Sequence, residues 1–500
     1  KMASIQSTQK YMNIMAAALQ IVTKIPQTFN EIFASQDYEE ISTFVTTTLD
    51  AYWNDDNYSL LHNIDDFLQT IHEEKDSNRQ QIMAISFCLW LDFRITYTRD
   101  ENNIAGKRAY FSLASLVSIS KDDYAVVDSL NTNYNKTGIW INPKFPIATP
   151  HIIRNEELFE KNISNRDIFE GINGSLKHCS YVSYDNKNII KNIIISDTFL
   201  TEKDDCSFSI GFSPISDRKD LLQLEDQPIE RNGIKYNGEL VKPLNHAEEL
   251  LERLKNDWNL AGDMNVDIFF TPELLGTSIS EKNDGEYNSF LWECSNLRLV
   301  SGKNVPLLTI LPSYWSNNYN RSTIVSLDGQ IIGHQEKHIP FIDKKAHKME
   351  ALAEIQEWST ILIHIPNVHR IAIVICAEFL SDQDRIQKFL CGSLGATLLI
   401  VPSYSRGEQD FINTLPVLKC YGTTIIWGNC CGAVASNEKA IGGCGIAGTT
   451  QTITFGSKCC CNFSCQNIKA CVFKVKIPLD FELSKTTESF SKDNVTHNIQ

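Results

Sequence analysis

Three side chains with complementary chemistry sit at or just beyond the ends of predicted strands: Glu273 in VDIFFTPELLG, Lys337 in IIGHQEKHIPF and Cys376 in RIAIVICAEFL. A thiol attacks a carbonyl or nitrile carbon only once its proton has gone, and a carboxylate can take that proton. A lysine ammonium can stabilise both the thiolate and the oxyanion that follows. Together they supply nucleophile, base and electrostatic clamp. Each alone has a simpler reading. A cysteine in an apolar strand is most simply a core thiol, and a loop lysine is most simply solvated. The dipeptide Pro272-Glu273 suits the first turn of a helix. A rigid sheet aiming all three into one crevice would make them a site.

The flanks of these residues resemble the nitrilase superfamily of carbon–nitrogen hydrolases. Pro272-Glu273 closes a strand, the run Ser326–Gly333 (SLDGQIIG) resembles the family's hairpin before the lysine, and Ile375-Cys376-Ala377-Glu378 follows a third strand. Leu399–Ser403 (LIVPS) resembles the strand after the nucleophile. Thr424–Gly432 (TIIWGNCCG) and, more loosely, Gly442–Thr452 (GGCGIAGTTQT) resemble the segments beyond it. The resemblance covers roughly residues 195–480 and implies an α/β fold, an αββα four-layer sandwich. It implies Glu273 as general base, Lys337 as oxyanion-stabilising lysine and Cys376 as nucleophile passing through a thioester. The Ala377 backbone N–H would be the second oxyanion donor. A second glutamate downstream of the lysine is placed at Glu350, with Glu354 next, and Glu378 is expected to orient the loop by hydrogen bonds rather than react. The implied reaction is hydrolysis of non-peptide amide, nitrile or carbamoyl bonds in a small-molecule substrate, without cofactor or metal, by a homo-oligomer. Three departures from the family stand out: an insertion at 215–243, Ala377 after the cysteine, where an aromatic residue is common and part of the usual pocket wall would be missing, and Glu336 before the lysine, where its charge would act on the lysine's pKa.

The elements that must position these groups come from the patterning. Five hundred residues suggest two to four domains. The first 120 residues carry helical stripes, among them Leu60, Leu61, Ile64, Phe67, Leu68 and Ile71, and a second with Ile41, Phe44, Val45 and Leu49. The expected organisation is a mainly helical domain at 1–121, a mixed connecting region at 122–194, the hydrolase-like domain at 195–480 and a polar tail at 481–500. Strand-sized apolar runs alternate with helices through the third of these.

Composition narrows the function. Hydrophobic residues at 42% and charged residues at 21% exclude a fibrous or wholly disordered chain. A net charge of −15 disfavours a large nucleic-acid footprint, and no apolar run is long enough to span a bilayer. Fifteen irregularly spaced cysteines point to the reducing cytoplasm rather than a disulfide framework. A Cys–His pair using His338, His364 or His369 lacks any protease signature. The cluster Cys459, Cys460, Cys461, Cys465 and Cys471 lacks the paired spacing of a zinc site. The rival from another class is a catalytically idle module of the same fold, kept as an assembly scaffold or ligand sensor. The non-Met start and helical leader are compatible with the C-terminal part of a larger bacterial protein, such as the reverse-transcriptase fusions of phage defence, although no polymerase motif is visible.

Overall fold

The computed structural model describes residues 14–22, 32, 34–54, 60–95, 124–127, 139–143, 179–183, 188–195, 207–215, 222–242, 247–276, 304–316, 318–327, 329–354, 358–365, 369–382, 385–394, 396–406, 408–414, 423–433, 444–447, 452–455, 469–478 and 495–499. Residues 14–22 are helical and precede α1 (Tyr38–Asn54), α2 (Leu60–Glu73) and α3 (Ser77–Ile95). Four strands follow: β1 (Tyr124–Val127), β2 (Ile139–Pro143), β3 (Cys179–Ser183) and β4 (Asn188–Ile195). Next come β5 (Ser207–Phe212), β6 (Gln223–Arg231), β7 (Ile234–Lys242), α4 (Ala247–Asp263), β8 (Ile268–Phe270), β9 (Leu308–Ile310), β10 (Tyr314–Ser316), β11 (Tyr319–Ser326) and β12 (Ile331–Glu336). The chain continues through β13 (Ile342–Asp343), β14 (Lys348–Glu350), β15 (Trp358–Ile365), β16 (His369–Ile373), α5 (Ala377–Ser381) and a π-helical turn at Arg385–Ser393. The last described elements are β17 (Leu398–Ser403), α6 (Glu408–Thr414), β18 (Thr424–Asn429), β19 (Cys444–Ala447), β20 (Thr452–Phe455), β21 (Cys471–Pro478) and β22 (Val495–Ile499).

The result is a mixed α/β fold with two eight-stranded sheets, one in the order β1-β4-β15-β16-β17-β18-β19-β20, the other β10-β11-β9-β8-β5-β21-β22 with β12 on β11. One apolar cluster draws on both, joining Ile193, Ile361, Ile371 and Leu399 of the first to Ile210, Ile268, Phe270 and Ile324 of the second. Side-chain alternation explains how the second sheet is covered on its two faces. In β8, Ile268 and Phe270 enter that shared core, while Phe269 joins a different cluster with Leu250, Leu254 and Trp258 of α4. Gln335 ties the sheets together by polar contacts, its amide donating to Ser359 O and accepting from Ile361 N–H.

α4 is anchored by a buried carboxylate. Asp257 accepts hydrogen bonds from Ser213 Oγ and the Cys471 N–H, and lies 3.3 Å from Arg253 Nε. Burial pushes its pKa up to about 7, against the opposing pull of Arg253 and the hydrogen bonds. The folded state therefore holds a proton that the unfolded chain releases. This contribution to stability is full below about pH 4 and is lost as pH rises towards 7. Asp257→Asn should flatten the slope of unfolding free energy in that window, read by urea melts at pH 5 and 8; an unchanged slope would exclude Asp257 as its source.

Two segments outside the expected 195–480 domain contribute strands to the large sheets. β4, all but its last residue in 122–194, pairs in parallel with β15 from Trp358↔Asn188 to His364↔Ile194, and β1 pairs with β4, so this region supplies two strands of the first sheet. The isoleucine-rich stretch Asn188–Ile195 (NIIKNIII) pairs with a partner over 150 residues away, which local pattern does not reveal. The tail at 481–500 contains β22, paired antiparallel to β21. In the helices, Ile64, Phe67, Leu68 and Ile71 of the expected α2 stripe are buried, with Ile41, Val45 and Leu49 of α1, in a separate cluster; Leu60 and Leu61 lie outside the described side chains. Phe44 is 47% exposed, although the stripe counted it inward. Of the cysteine cluster, Cys459, Cys460, Cys461 and Cys465 lie outside the described residues, and Cys471 is buried in β21. Among the described residues, no helix is long and apolar enough to cross a membrane.

Candidate active site

The candidate residues stand where strands end. Glu273 lies three residues past β8, on a turn held by Leu274 N–H donating to Ser313 Oγ at 2.8 Å. Lys337 directly follows β12, and its N–H donates to Asn320 O at 2.8 Å, extending the β11–β12 ladder by one step. Glu350 closes β14. Cys376 follows β16 and precedes α5, with its N–H donating to Pro402 O at the end of β17. Ligand-facing groups at the carboxyl ends of strands are the general pattern of open α/β sheets.

The backbone is bent to achieve this. Cys376 has φ 47° and ψ −109°, and Leu274, next to Glu273, has φ 68°. Positive φ is costly for side chains of this size, about 1–3 kcal/mol per residue, and persists only where the surroundings enforce it. Both strained residues are buried; Leu274 adjoins Glu273, and Cys376 is itself one of the clustered titratable groups.

Lys337 is the centre. Its Nζ lies 2.7 Å from Glu273 Oε1 and 2.6 Å from Glu350 Oε2, with all three side chains almost wholly out of solvent. Burial alone would lower the lysine pKa, but the two carboxylates and the nearby Cys376 outweigh it and hold the ammonium charged. Glu350 is pushed up by burial, against Lys337, with Glu273 adding to the rise. Its Oε2 also accepts the Phe341 N–H at 2.6 Å. The Cys376 thiol is pushed up too, first by burial and then by Glu273, to which it is hydrogen-bonded, while Lys337 pulls the other way. Burial and Glu273 thus both favour the protonated form of the Cys376 thiol. Glu336, the residue before the lysine, is ion-paired with Arg321, whose Nη2 lies 2.7 Å from Glu336 Oε1. Of the two candidates for the second glutamate, Glu350 contacts Lys337 and Glu354 is exposed.

Glu273 has two further partners. Asn320 Nδ2 donates to Oε1 at 2.8 Å and Tyr404 N–H donates to Oε2 at 3.3 Å. Asn320 is buried, and sequence reasoning passed over it because a strand asparagine carries no catalytic signal of its own; its role appears only through the register that sets it beside Lys337. Asn429 supports Tyr404 through the next residue, exchanging hydrogen bonds with the Ser405 N–H and C=O at 2.9 Å each.

Within the 215–243 insertion, β6 and β7 form a β-hairpin, and β14, which ends in Glu350, pairs against it. β7 pairs in parallel with β14, Glu350 opposite Glu239, and Ala351 N–H donates to Glu239 O. The turn is Asn232-Gly233, both at positive φ, the residue pair favoured in two-residue hairpins. Val241 of the insertion packs with Leu274, Trp315, Ala351 and Leu352, beside both glutamates. His364 and His369 do not approach the thiol: they sit in the β15–β16 ladder, and His369 Nδ1 meets Thr397 Oγ1 at 3.0 Å. Among the described residues, no group of three or more His, Cys, Asp or Glu could hold a metal ion; between the two glutamates stands the lysine ammonium.

Solved structures similar to the chain are amidases of the nitrilase superfamily. A mutant of the amidase from Nesterenkonia sp. AN1, carrying the acetamide moiety of fluoroacetamide on its active-site cysteine, is 13% identical and covers 57% of this chain and 95% of its own, with a TM-score of 0.36. Another mutant of the Nesterenkonia AN1 amidase, described as from the nitrilase superfamily, is 14% identical over 54% of this chain and 90% of its own, with a TM-score of 0.37. No protein-family model matches the sequence, and no curated protein does.

Proposed function

We propose that the chain is a carbon–nitrogen hydrolase acting on a small amide, nitrile or carbamoyl substrate, built as an αββα four-layer sandwich. The observation that carries this reading is the buried constellation of Glu273, Lys337, Glu350 and Cys376, in which the thiol is hydrogen-bonded to a carboxylate that itself bonds an ammonium. With an amide, Glu273 accepts the thiol proton as Cys376 Sγ attacks the carbonyl carbon. The oxyanion accepts hydrogen bonds from Lys337 Nζ and from the Ala377 N–H, which as the first residue of α5 has no intrahelical acceptor. Glu273 returns the proton to the leaving nitrogen, the C–N bond breaks, and a Cys376 thioester remains. Glu273 then takes a proton from water, hydroxide attacks the thioester, and the collapsing intermediate expels the thiolate, which recovers the proton as the acid departs. Glu350 holds the far side of the lysine and keeps its ammonium aimed.

The test is a panel of primary amides, nitriles and N-carbamoyl amines assayed for ammonia release, with peptide mass spectrometry of the quenched protein. The expected result is ammonia release that disappears in Cys376→Ala and an acyl mass increment on Cys376 alone. Turnover that survives Cys376→Ala, or no turnover and no adduct at Cys376, would overturn it in favour of an idle scaffold or ligand sensor.

A further inference from the structure

Two fully buried residues beside the reacting groups form a pair of their own. Glu378 Oε1 accepts the His338 backbone N–H at 2.6 Å and faces His338 Nδ1 at 3.0 Å, while Oε2 accepts the Ile375 N–H at 3.2 Å. One carboxylate thus grips the residue after Lys337 and the residue before Cys376. Burial alone would raise the Glu378 pKa, but His338 and Arg385 outweigh it and hold it below the usual range, so the group is an ionised acceptor. An ionised carboxylate can only accept, which places the imidazole proton on Nδ1. His338 Nε2 has no partner among the described residues, so the ring's polar bonding is that one contact. Its face is used as well: the imidazole stacks on Trp358 at 5.3 Å and 13°, and the Arg385 guanidinium lies 4.9 Å from the same indole.

We propose that His338 is a positioning residue, and that His338 and Glu378 form a clamp fixing the lysine segment against the strained cysteine turn. The Cys376 backbone, at positive φ, needs an outside hold, and Glu378 supplies one at Ile375. The Lys337 segment needs the same reference point if ammonium and thiol are to meet on one substrate carbon. Misplacement by about 1 Å can cost on the order of 10²-fold in rate. The consequence for catalysis rests on the hydrolase reading above; the clamp itself does not.

The experiment therefore has two arms on the full chain, using His338→Phe, which keeps an aromatic ring but loses the bond, and His338→Asn, which keeps a donor. Hydrogen exchange read by mass spectrometry should show peptides covering 337–341 and 374–379 both exchanging about tenfold faster in His338→Phe, with protection returning in His338→Asn. Acceleration confined to 337–341, or in neither peptide, would overturn the clamp whether or not any substrate is turned over. In the kinetic arm, His338→Phe should lower kcat about 10- to 100-fold with KM within about threefold, and Glu378→Gln combined with it should do no further damage beyond Glu378→Gln alone. Unchanged kcat, or strictly multiplicative losses, would remove the catalytic consequence. Absence of turnover in the wild type would count against the hydrolase reading alone, since the exchange arm still decides the clamp.

Discussion

Lys337→Met should lose at least 10²–10³-fold in turnover and become less stable as the pH rises. Methionine nearly matches the lysine stem in length, so little packing is lost. What goes is the only ammonium within hydrogen-bonding reach of Glu273 Oε1 and Glu350 Oε2 among the described contacts, at 2.7 and 2.6 Å. Breaking a buried ion pair from one side costs about 3–5 kcal/mol, because the partner charges stay buried without compensation. The carboxylates can escape by binding a proton. Glu350 is already pushed up by burial and by Glu273, with Lys337 as its main restraint, and removing that restraint sends it further up. A carboxyl whose folded pKa lies above its unfolded value gives stability that is full at acid pH and lost as pH climbs through the folded value. The destabilisation relative to wild type should therefore be small near pH 5 and large near pH 8, as measured by urea unfolding at both. Equal loss at the two pH values would show that the charges are compensated by something other than Lys337.

What the sequence discloses of this site depends on whether each residue carries its signal locally. Glu273, Lys337 and Cys376 are legible because each sets a charged or reactive group at or just beyond the end of an expected strand, and because their order and flanks resemble one family. Glu350 has a weaker signal: the intervening DKKAHK fits no motif, and what holds Glu350 beside Lys337 is β14 pairing with β7, a strand of the insertion. The insertion itself had a readable element, since Asn232-Gly233 between two runs marks a two-residue hairpin turn. Its use as the support of Glu350 was beyond local reading, because a parallel partner over 100 residues away leaves no trace in either segment. Asn320 and Tyr404 are hidden for the same reason. One acts through a side-chain amide set by strand register, the other through a backbone N–H, for which residue type says nothing. The fold shows the same division: α2 was legible from its period, whereas membership of β4 and β22 in the large sheets was not.

Glu273→Gln should separate two properties of Cys376 that ordinarily move together. Glutamine retains an oxygen that can accept from Lys337 and Asn320, so the cluster should stay assembled, but it cannot take a proton. General-base loss alone costs about 10²–10⁴ in rate. Here the same carboxylate is asked to act in both thioester formation and thioester hydrolysis, so kcat should fall to the upper end of that range. The intrinsic acidity of the thiol should move the opposite way. Glu273 raises the Cys376 pKa through its charge and its hydrogen bond, while Lys337 lowers it; taking away the carboxylate leaves the lysine less opposed, although burial keeps the thiol above its ordinary value. The midpoint of alkylation by iodoacetamide against pH should shift downward in the variant, even as turnover collapses. A standing thiolate of depressed pKa maintained by Glu273 would give the reverse shift, with the midpoint rising on mutation. Alkylation profiles of wild type and Glu273→Gln, resolved to Cys376 by peptide mapping, therefore distinguish a base that acts during the reaction from one that ionises the thiol beforehand. Only the first agrees with a buried thiol facing a carboxylate across its own hydrogen bond.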